Sequence, residues 1–412
     1  MLPTMSTRRA FVAACAAAPA ILKSAESRRG YSYADIERMI ARGDVKGKLT
    51  RDDLPTPALI LELDAFEENV TRMAAFAKQH NRALRPHAKT HKCPEIGVAL
   101  IKAGAVGACS AKISEAEALS AGGVTGLLIT SAMVGTSRIE RAVRLANRRP
   151  ETIFSVDNAQ NVEDLDAAAR HAGIRLNLAI DLWVGRRTGI PPGQPALALA
   201  QHIAGLKNVQ FAGLQAYAGH ASHVPGFENR RRVSREAMEQ AVDTRRLIEK
   251  SGIECPLVTG GSTGTYNIDS EVDGITEMQP GSYIFMDTDY NRIGGKDGPD
   301  YKDFRNSLFV ITTVISKPSD ESAVVDGGYK AFATDKPFTP QLRGISGVPY
   351  WGGDEHGVLN LAHASAPVKL GDRLEFLATH CDPTVNLYDQ IYALRADNVE
   401  AVWRIAGRGR SQ

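Results

Sequence analysis

Neither sign of charge is in excess in this sequence. Its 49 lysines and arginines stand against 47 acidic residues, a formal net charge of +2. The bulk electrostatics therefore call for neither nucleic acid nor an anionic membrane surface, and a small molecule is the default partner. Cysteine is scarce: Cys15, Cys93, Cys109, Cys255 and Cys381 show neither Cys-x-x-Cys spacing nor the density of a disulfide scaffold. The fold is not expected to depend on them. Past the N-terminal stretch no apolar run is long enough to span a bilayer, and the chain carries no long internal repeat or low-complexity tract.

What is there is a chain of 412 residues, 43% hydrophobic, long enough for a barrel-sized domain plus a smaller one. Residues 1–25 have the layout of a twin-arginine export signal: Arg8-Arg9, a weakly apolar Ala-rich stretch to Leu22 and a polar exit. Cleavage is expected after Ala20 or Ala25, and a periplasmic location follows. Residues 26–63 read as a lead-in with a short helix at Tyr31–Ile40 and a strand at Thr56–Leu63. Asp64 is placed to cap a helix over Ala65–His80, whose Phe66, Val70, Met73 and Ala77 recur at helical spacing.

Strand-like runs then recur at 84–88, 107–111, 126–130, 153–157, 175–181, 210–216, 256–259 and 275–279, with helical stretches such as Pro94–Lys102, Glu115–Ala121 and Val162–Ala172 between them. Such alternation predicts an α/β fold, a (β/α)8 TIM-type barrel over 64–287. After Asp287 the helix signals fade. Runs at Phe309–Ser316, Glu321–Asp326, Arg373–Thr379 and Val399–Ile405, parted by Gly- and Pro-rich turns, predict an all-β C-terminal domain over 288–412.

One stretch concentrates the chemistry: Leu84-Arg85-Pro86-His87-Ala88-Lys89-Thr90-His91-Lys92. Read as a strand, it puts Arg85, His87 and Lys89 on one face. A solvated strand looks the same, but barrel strands are covered on both sides, so Lys89 at the end of the run would stand at the mouth. The loop Thr259-Gly260-Gly261-Ser262-Thr263-Gly264-Thr265 follows the seventh barrel run, and Gly281, Ser282 and Tyr283 follow the eighth. Glycines let backbone N–H groups curl around an anion, hydroxyls add donors, and barrel phosphate sites cluster after these strands. Alone, each loop reads as a flexible turn; together, at the two expected places, they point to a phosphate. Far along the chain, His380 and Asp382 point the same way on an extended segment, with Cys381 opposite. Such a pair holds a divalent cation or makes a structural hydrogen bond.

The segment Arg85–Lys92 resembles the cofactor-lysine segment of the fold-type III pyridoxal phosphate enzymes, in the D-threonine aldolase and D-serine dehydratase branch of the alanine racemase superfamily. Lys89 matches the lysine that carries the cofactor. The likeness spans about residues 52–405 and implies that the run at 58–62 joins the C-terminal domain. It also implies that Ser262, Thr263, Gly264, Thr265, Gly281, Ser282 and Tyr283 bind the phosphate. Arg187 would approach the phenolic oxygen, with Arg186 beside it open to the same role, and Gln215 and Tyr217 would lie by the ring. His380 and Asp382 would be the metal ligands. The related dehydratases carry His-x-Cys, which selects zinc; an oxygen ligand suits Mn, Mg or a similar ion, with zinc the alternative. Asp354-Glu355-His356-Gly357 also resembles a family element, without an assigned role.

The implied enzyme is a metal-dependent pyridoxal phosphate aldolase, a carbon–carbon lyase, with Lys89 and His380 catalytic. It would cleave a β-hydroxy-D-amino acid of the D-threonine or 3-hydroxy-D-aspartate type to glycine and an aldehyde. The same parts would serve a D-serine or 3-hydroxy-D-aspartate dehydratase. A non-catalytic pyridoxal phosphate carrier is the third reading, against which the second domain and the His-x-Asp pair argue. For a substrate with a second carboxylate, His91, Lys92 and Arg186 are the candidate cations. The resemblance implies a homodimer in which one subunit's β-domain reaches its partner's barrel mouth, which would explain how residues as distant as Lys89 and His380 share a site.

Overall fold

The computed structural model describes residues 30–412, so the export signal read at 1–25 lies outside the described residues. The first strand of the body, β1 (Ala58–Glu62), does not join the strands that follow it. The next eight pair with one another: β2 (Ala83–Leu84), β3 (Ala108–Ser110), β4 (Leu127–Ile129), β5 (Ile153–Val156), β6 (Leu176–Asp181), β7 (Val209–Ala216), β8 (Leu257–Gly260) and β9 (Glu277–Met278). They are parallel, in the order β2-β9-β8-β7-β6-β5-β4-β3. Val106 N donates to Leu84 O at 2.8 Å and Cys109 N to Pro86 O at 3.0 Å, which closes the (β/α)8 barrel between its first two strands. Apolar runs such as Leu127–Ile129, buried on both faces, are what such covered strands require.

The helix Pro94–Lys102 lies where the sequence puts it, with proline at its first position. The helix after β1 spans Leu63–Gln79 and begins without a connecting loop. Asp64 therefore falls inside the first turn rather than at the cap, and its carboxylate pairs with Arg395 instead.

The rest of the chain builds a second sheet from β10 (Leu308–Ser319), β11 (Ser322–Val325), β12 (Gln341–Leu342), β13 (Tyr350–Gly352), β14 (Gly357–Asn360), β15 (Arg373–Leu377), β16 (Gln390–Arg395) and β17 (Asn398–Arg404). β1 completes it, antiparallel to β10 through Leu59 and Val310 and parallel to β16 through Ile60 and Tyr392. An interior place explains why Ala58, Leu59, Ile60 and Leu61 are all buried. β12, β13, β14 and β16 were not read from the sequence. Three of them are two to four residues long, too short to show alternation.

Candidate active site

β2 ends at Leu84, and Pro86 has no N–H with which to continue the ladder. The chain then tightens into a single 3-10 turn, Ala88–Thr90, which carries Lys89. The expected common face holds only in part. Arg85 and His87 are buried within the barrel, with Arg85 Nε and Nη2 each 2.9 Å from the Glu277 carboxylate. Lys89 instead leans over the mouth, its Nζ 5.7 Å from the centroid of the Tyr217 ring. Burial opposes its charge, yet the Asp382 carboxylate and Tyr217 outweigh that and raise its pKa above the ordinary lysine value. His87 is kept neutral by burial and by the nearby Lys89 and Arg187 charges. Its Nδ1 faces the Lys89 backbone N–H at 3.3 Å and so accepts. That leaves the proton on Nε2, 3.3 Å from Thr130 Oγ1.

Two lobes of one depression meet at Lys89. A cavity of about 300 Å³ is lined by His87, Lys89, Lys112, Thr130, Arg187, Gln215, Tyr217 and Gln279, among others. A smaller lobe, about 50 Å³, adds Thr90, His223, Ser262, Thr263, Gly281, Ser282, Tyr290, His380 and Asp382. Larger grooves of 540 to 610 Å³ lie elsewhere on the surface and lack Lys89.

The loops after β8 and β9 form the floor of the smaller lobe. Backbone N–H groups of Thr263, Gly264 and Ser282 have no acceptor among the described residues. Buried N–H groups without partners are rare, and a cluster of them fits a phosphate. Gly281 is needed here: a Cβ on it would stand 2.5 Å from Thr90 Oγ1 and 3.1 Å from His87 O, in the turn that holds Lys89. Of the expected ligands, Ser262, Thr263, Gly281 and Ser282 line the lobe. The Thr265 hydroxyl is spent inside the loop, donating to Asp269 Oδ2 at 2.5 Å and accepting from Ser262 N at 3.0 Å. The Tyr283 ring is in the core beside Phe304, and only its backbone N–H reaches the loop, at Thr263 Oγ1 3.0 Å away. Gly264 turns its carbonyl away, toward Arg230.

Arg187 lies 5.7 Å from the centroid of the Tyr217 ring, on the side of the larger lobe. Arg186, at φ +58°, turns instead into a groove beside Trp183 and His220. Gln215 accepts from Gln279 Nε2 at 3.2 Å, and the same amide nitrogen donates to Thr259 Oγ1 at 2.9 Å. The Thr259 hydroxyl in turn donates to Glu277. A line of side chains thus runs from the buried Arg85–Glu277 pair to the cavity wall.

His380 caps the short helix Cys381–Val385 and points its Nε2 toward Asp382, 3.9 Å from Oδ2. Its other nitrogen, Nδ1, is 2.7 Å from Asp335 Oδ2. A carboxylate behind the ring that fixes the tautomer is the usual support of a metal-binding histidine. Among the described residues no group of three or more such side chains is gathered, so two protein donors are what the site offers. Thr90 Oγ1 lies 3.2 Å from both oxygens of Asp382. The lysine turn and the His-x-Asp segment therefore meet within one chain. The cross-subunit arrangement expected from the resemblance is not what joins Lys89 to His380; β1, threaded through the C-terminal sheet, ties that sheet to its own barrel.

The candidate cations for a second carboxylate are elsewhere. Lys92 is spent on Glu115 at 2.9 Å. His91 is fully buried, its pKa pushed down to about 4 by burial. Two residues that sequence reasoning passed over stand at the site instead. His223 packs 4.3 Å from Tyr290, with Nδ1 3.1 Å from Asp289 Oδ2. Asp335 is the other, and neither sits in a motif that would have marked it; Gln279, which opens the loop after β9, lines both lobes as well.

Comparison with known proteins follows the same lines. The family model described as "Alanine racemase, N-terminal domain" matches residues 61–289, and that of the "Putative serine dehydratase domain" matches 307–394. The chain is 40% identical over 359 residues to a D-threonine aldolase of Arthrobacter sp, covering 87% of this chain and 93% of that one. It is 35% identical to a 3-hydroxy-D-aspartate aldolase of Paracoccus denitrificans (strain Pd 1222), covering 88% and 94%. The crystal structure of D-threonine aldolase from Filomicrobium marinum superposes with a TM-score of 0.84 at 37% identity, covering 88% of this chain and 98% of that one. The chain belongs to the alanine racemase-like, fold-type III pyridoxal phosphate lyases, in the branch that holds these aldolases.

Proposed function

We propose that this enzyme cleaves a β-hydroxy-D-amino acid, of the D-threonine or 3-hydroxy-D-aspartate type, to glycine and an aldehyde with the help of a divalent metal. The observation that carries the reading is the His380–Asp382 pair, braced by Asp335 and held by Thr90 over the turn that bears Lys89. Pyridoxal phosphate, when bound, supplies the electron sink for the charge left at Cα as the Cα–Cβ bond breaks. Lys89 would hold it, the N–H groups of Thr263, Gly264 and Ser282 would take its phosphate, and Arg187 would face its phenolic oxygen. His380 Nε2 and an Asp382 oxygen would hold the metal, whose chemistry is to acidify and orient the β-hydroxyl; a nitrogen and a hard oxygen suit Mn or Mg. His223, which lines the smaller lobe with Asp289 behind its ring, is the candidate base for the hydroxyl proton. Lys112, for which no ion pair is found among the described residues, lines the larger lobe and is available to a second substrate carboxylate.

Homodimer assembly and export to the periplasm complete the reading, resting on the resemblance and on Arg8-Arg9. Product analysis tests it. Protein supplemented with manganese is offered D-threonine, 3-hydroxy-D-aspartate and D-serine, and glycine is scored against ammonia plus 2-oxo acid. Glycine that vanishes on adding a chelator is the expected result. Ammonia and oxo acid would make it a dehydratase and overturn the role given to Asp382.

A further inference from the structure

Arg230 is the largest side chain fully withdrawn from solvent among the described residues, at 0% exposure. Its guanidinium donates only to backbone carbonyls: Gly264 O at 2.7 Å, Gly294 O at 2.8 Å, and Val224 O and Ile293 O at 3.0 Å each. Phe227 and Tyr301 lie on it, with ring centroids 5.8 Å from its central carbon. None of the described carboxylates forms an ion pair with it; burial lowers its pKa, and the groups that favour its charge, Tyr301, Asp303 and Tyr290, act without bonding it. A buried charge without a directly paired acid is costly and is rarely kept for packing alone.

The carbonyls it gathers show what it is placed against. Gly264 belongs to the loop after β8, whose Thr263 and Gly264 N–H groups are without acceptors. Carbonyl and N–H of a trans peptide point in opposite directions. The Thr263 carbonyl is taken up behind the loop by the Tyr301 hydroxyl, so the Gly264 N–H is turned the other way. The Gly264 carbonyl goes to Arg230 itself, and Gly264 tolerates no side chain, since a Cβ would sit 2.1 Å from Ser222 O. Asp269 also packs under the loop, reached through the Thr265 and Ser234 hydroxyls; burial pushes it up to about 6, so at neutral pH it is still mostly ionised and sets a negative charge under the loop that a buried cation offsets.

We propose that Arg230 is the positioning residue and buried counter-charge of the cofactor's phosphate: it orients the 262–265 loop from behind and places a fixed positive charge beneath it. The proposal rests on the reading that this loop takes a phosphate. The test compares full-length wild type with Arg230→Lys, which keeps the charge, and Arg230→Gln, which keeps two donors without it. Apoprotein is titrated with pyridoxal phosphate and, separately, with pyridoxal, which lacks the phosphate. In Arg230→Gln the preference for the phosphorylated form falls by about tenfold or more, in Arg230→Lys by less, and pyridoxal affinity stays within about twofold. A merely structural arginine would leave the preference unchanged in both variants, and that result overturns the proposal. If wild type shows no preference, the phosphate reading itself fails.

Should neither variant fold, the wild-type holoenzyme decides through the ³¹P shift of its bound cofactor. A free phosphate monoester titrates at about 6. The bound group is expected to stay dianionic, its shift flat down to about pH 5.5; titration near the free value would overturn the proposal.

Discussion

Asp181 closes β6 with its carboxylate accepting from Thr188 Oγ1 at 2.7 Å, one residue past Arg187. Burial raises its pKa to about 6, helped by Asp157 and opposed by the Thr188 bond and Arg187. The folded state therefore holds this proton more tightly than the unfolded chain does. Stability from this group is present below the unfolded value near 3.8 and is lost as pH rises toward 6. The loss is roughly 3 kcal/mol for the two or so pKa units involved. Asp181→Asn keeps the acceptor and removes the titration. Urea unfolding from pH 4 to 7 should show a wild-type minus variant difference that grows by about that amount; a flat difference would refute it. Single residues were legible in the sequence where they sat in a motif: Lys89, Ser262, Gly281, His380 and Asp382 all reach the cavity that the pattern implied. Asp335 and His223 were not, because a lone polar residue in a loop gains its meaning from what the fold sets opposite it. Thr265 and Tyr283 show the converse: the right loop does not tell which of its side chains turn inward.

The turn after Lys89 is anchored to the barrel by an ion pair of low exposure. Lys92, at φ +50°, reaches Glu115 Oε2 at 2.9 Å, while Ser110 Oγ and Ala111 N each donate to Glu115 Oε1 at 3.1 Å. Glu115→Gln leaves the ammonium buried and unpaired, and should cost about 3–5 kcal/mol in urea unfolding. The double variant Lys92→Met with Glu115→Leu should recover most of that. A single variant as stable as wild type would show the pair to be idle. At this scale the barrel strands and the helix Pro94–Lys102 were readable, since apolar runs and amphipathic periods are local signals. The cofactor turn was not. Alternation carried the predicted strand through to 88, but Pro86 and the tight approach of Gly281 end it early, and the second cause is a long-range contact invisible in the segment itself.

β1 makes the described chain one unit rather than two. It is hydrogen-bonded on one side to β10 and on the other to β16, inside a sheet otherwise built from residues after 307. Deleting residues 30–62 would remove an interior strand whose residues Leu59, Ile60 and Leu61 are wholly buried. The expected outcome is loss of cooperative thermal unfolding, read by circular dichroism, with dye binding to the exposed apolar edge. A truncated chain that melts cooperatively like wild type would contradict this. The sequence placed this run outside the barrel by resemblance, since its own pattern is that of any covered strand.

The same threading sets an order of events during synthesis. Ile60 leaves the ribosome roughly 330 residues before its partner Tyr392, a wait of tens of seconds at about 5–20 residues per second. The barrel, whose strands end at Met278, can close in that interval, while β1 stays an unpaired apolar edge. Completion of the second sheet thus waits for β16, and a product terminated ahead of residue 390 would carry that edge permanently exposed.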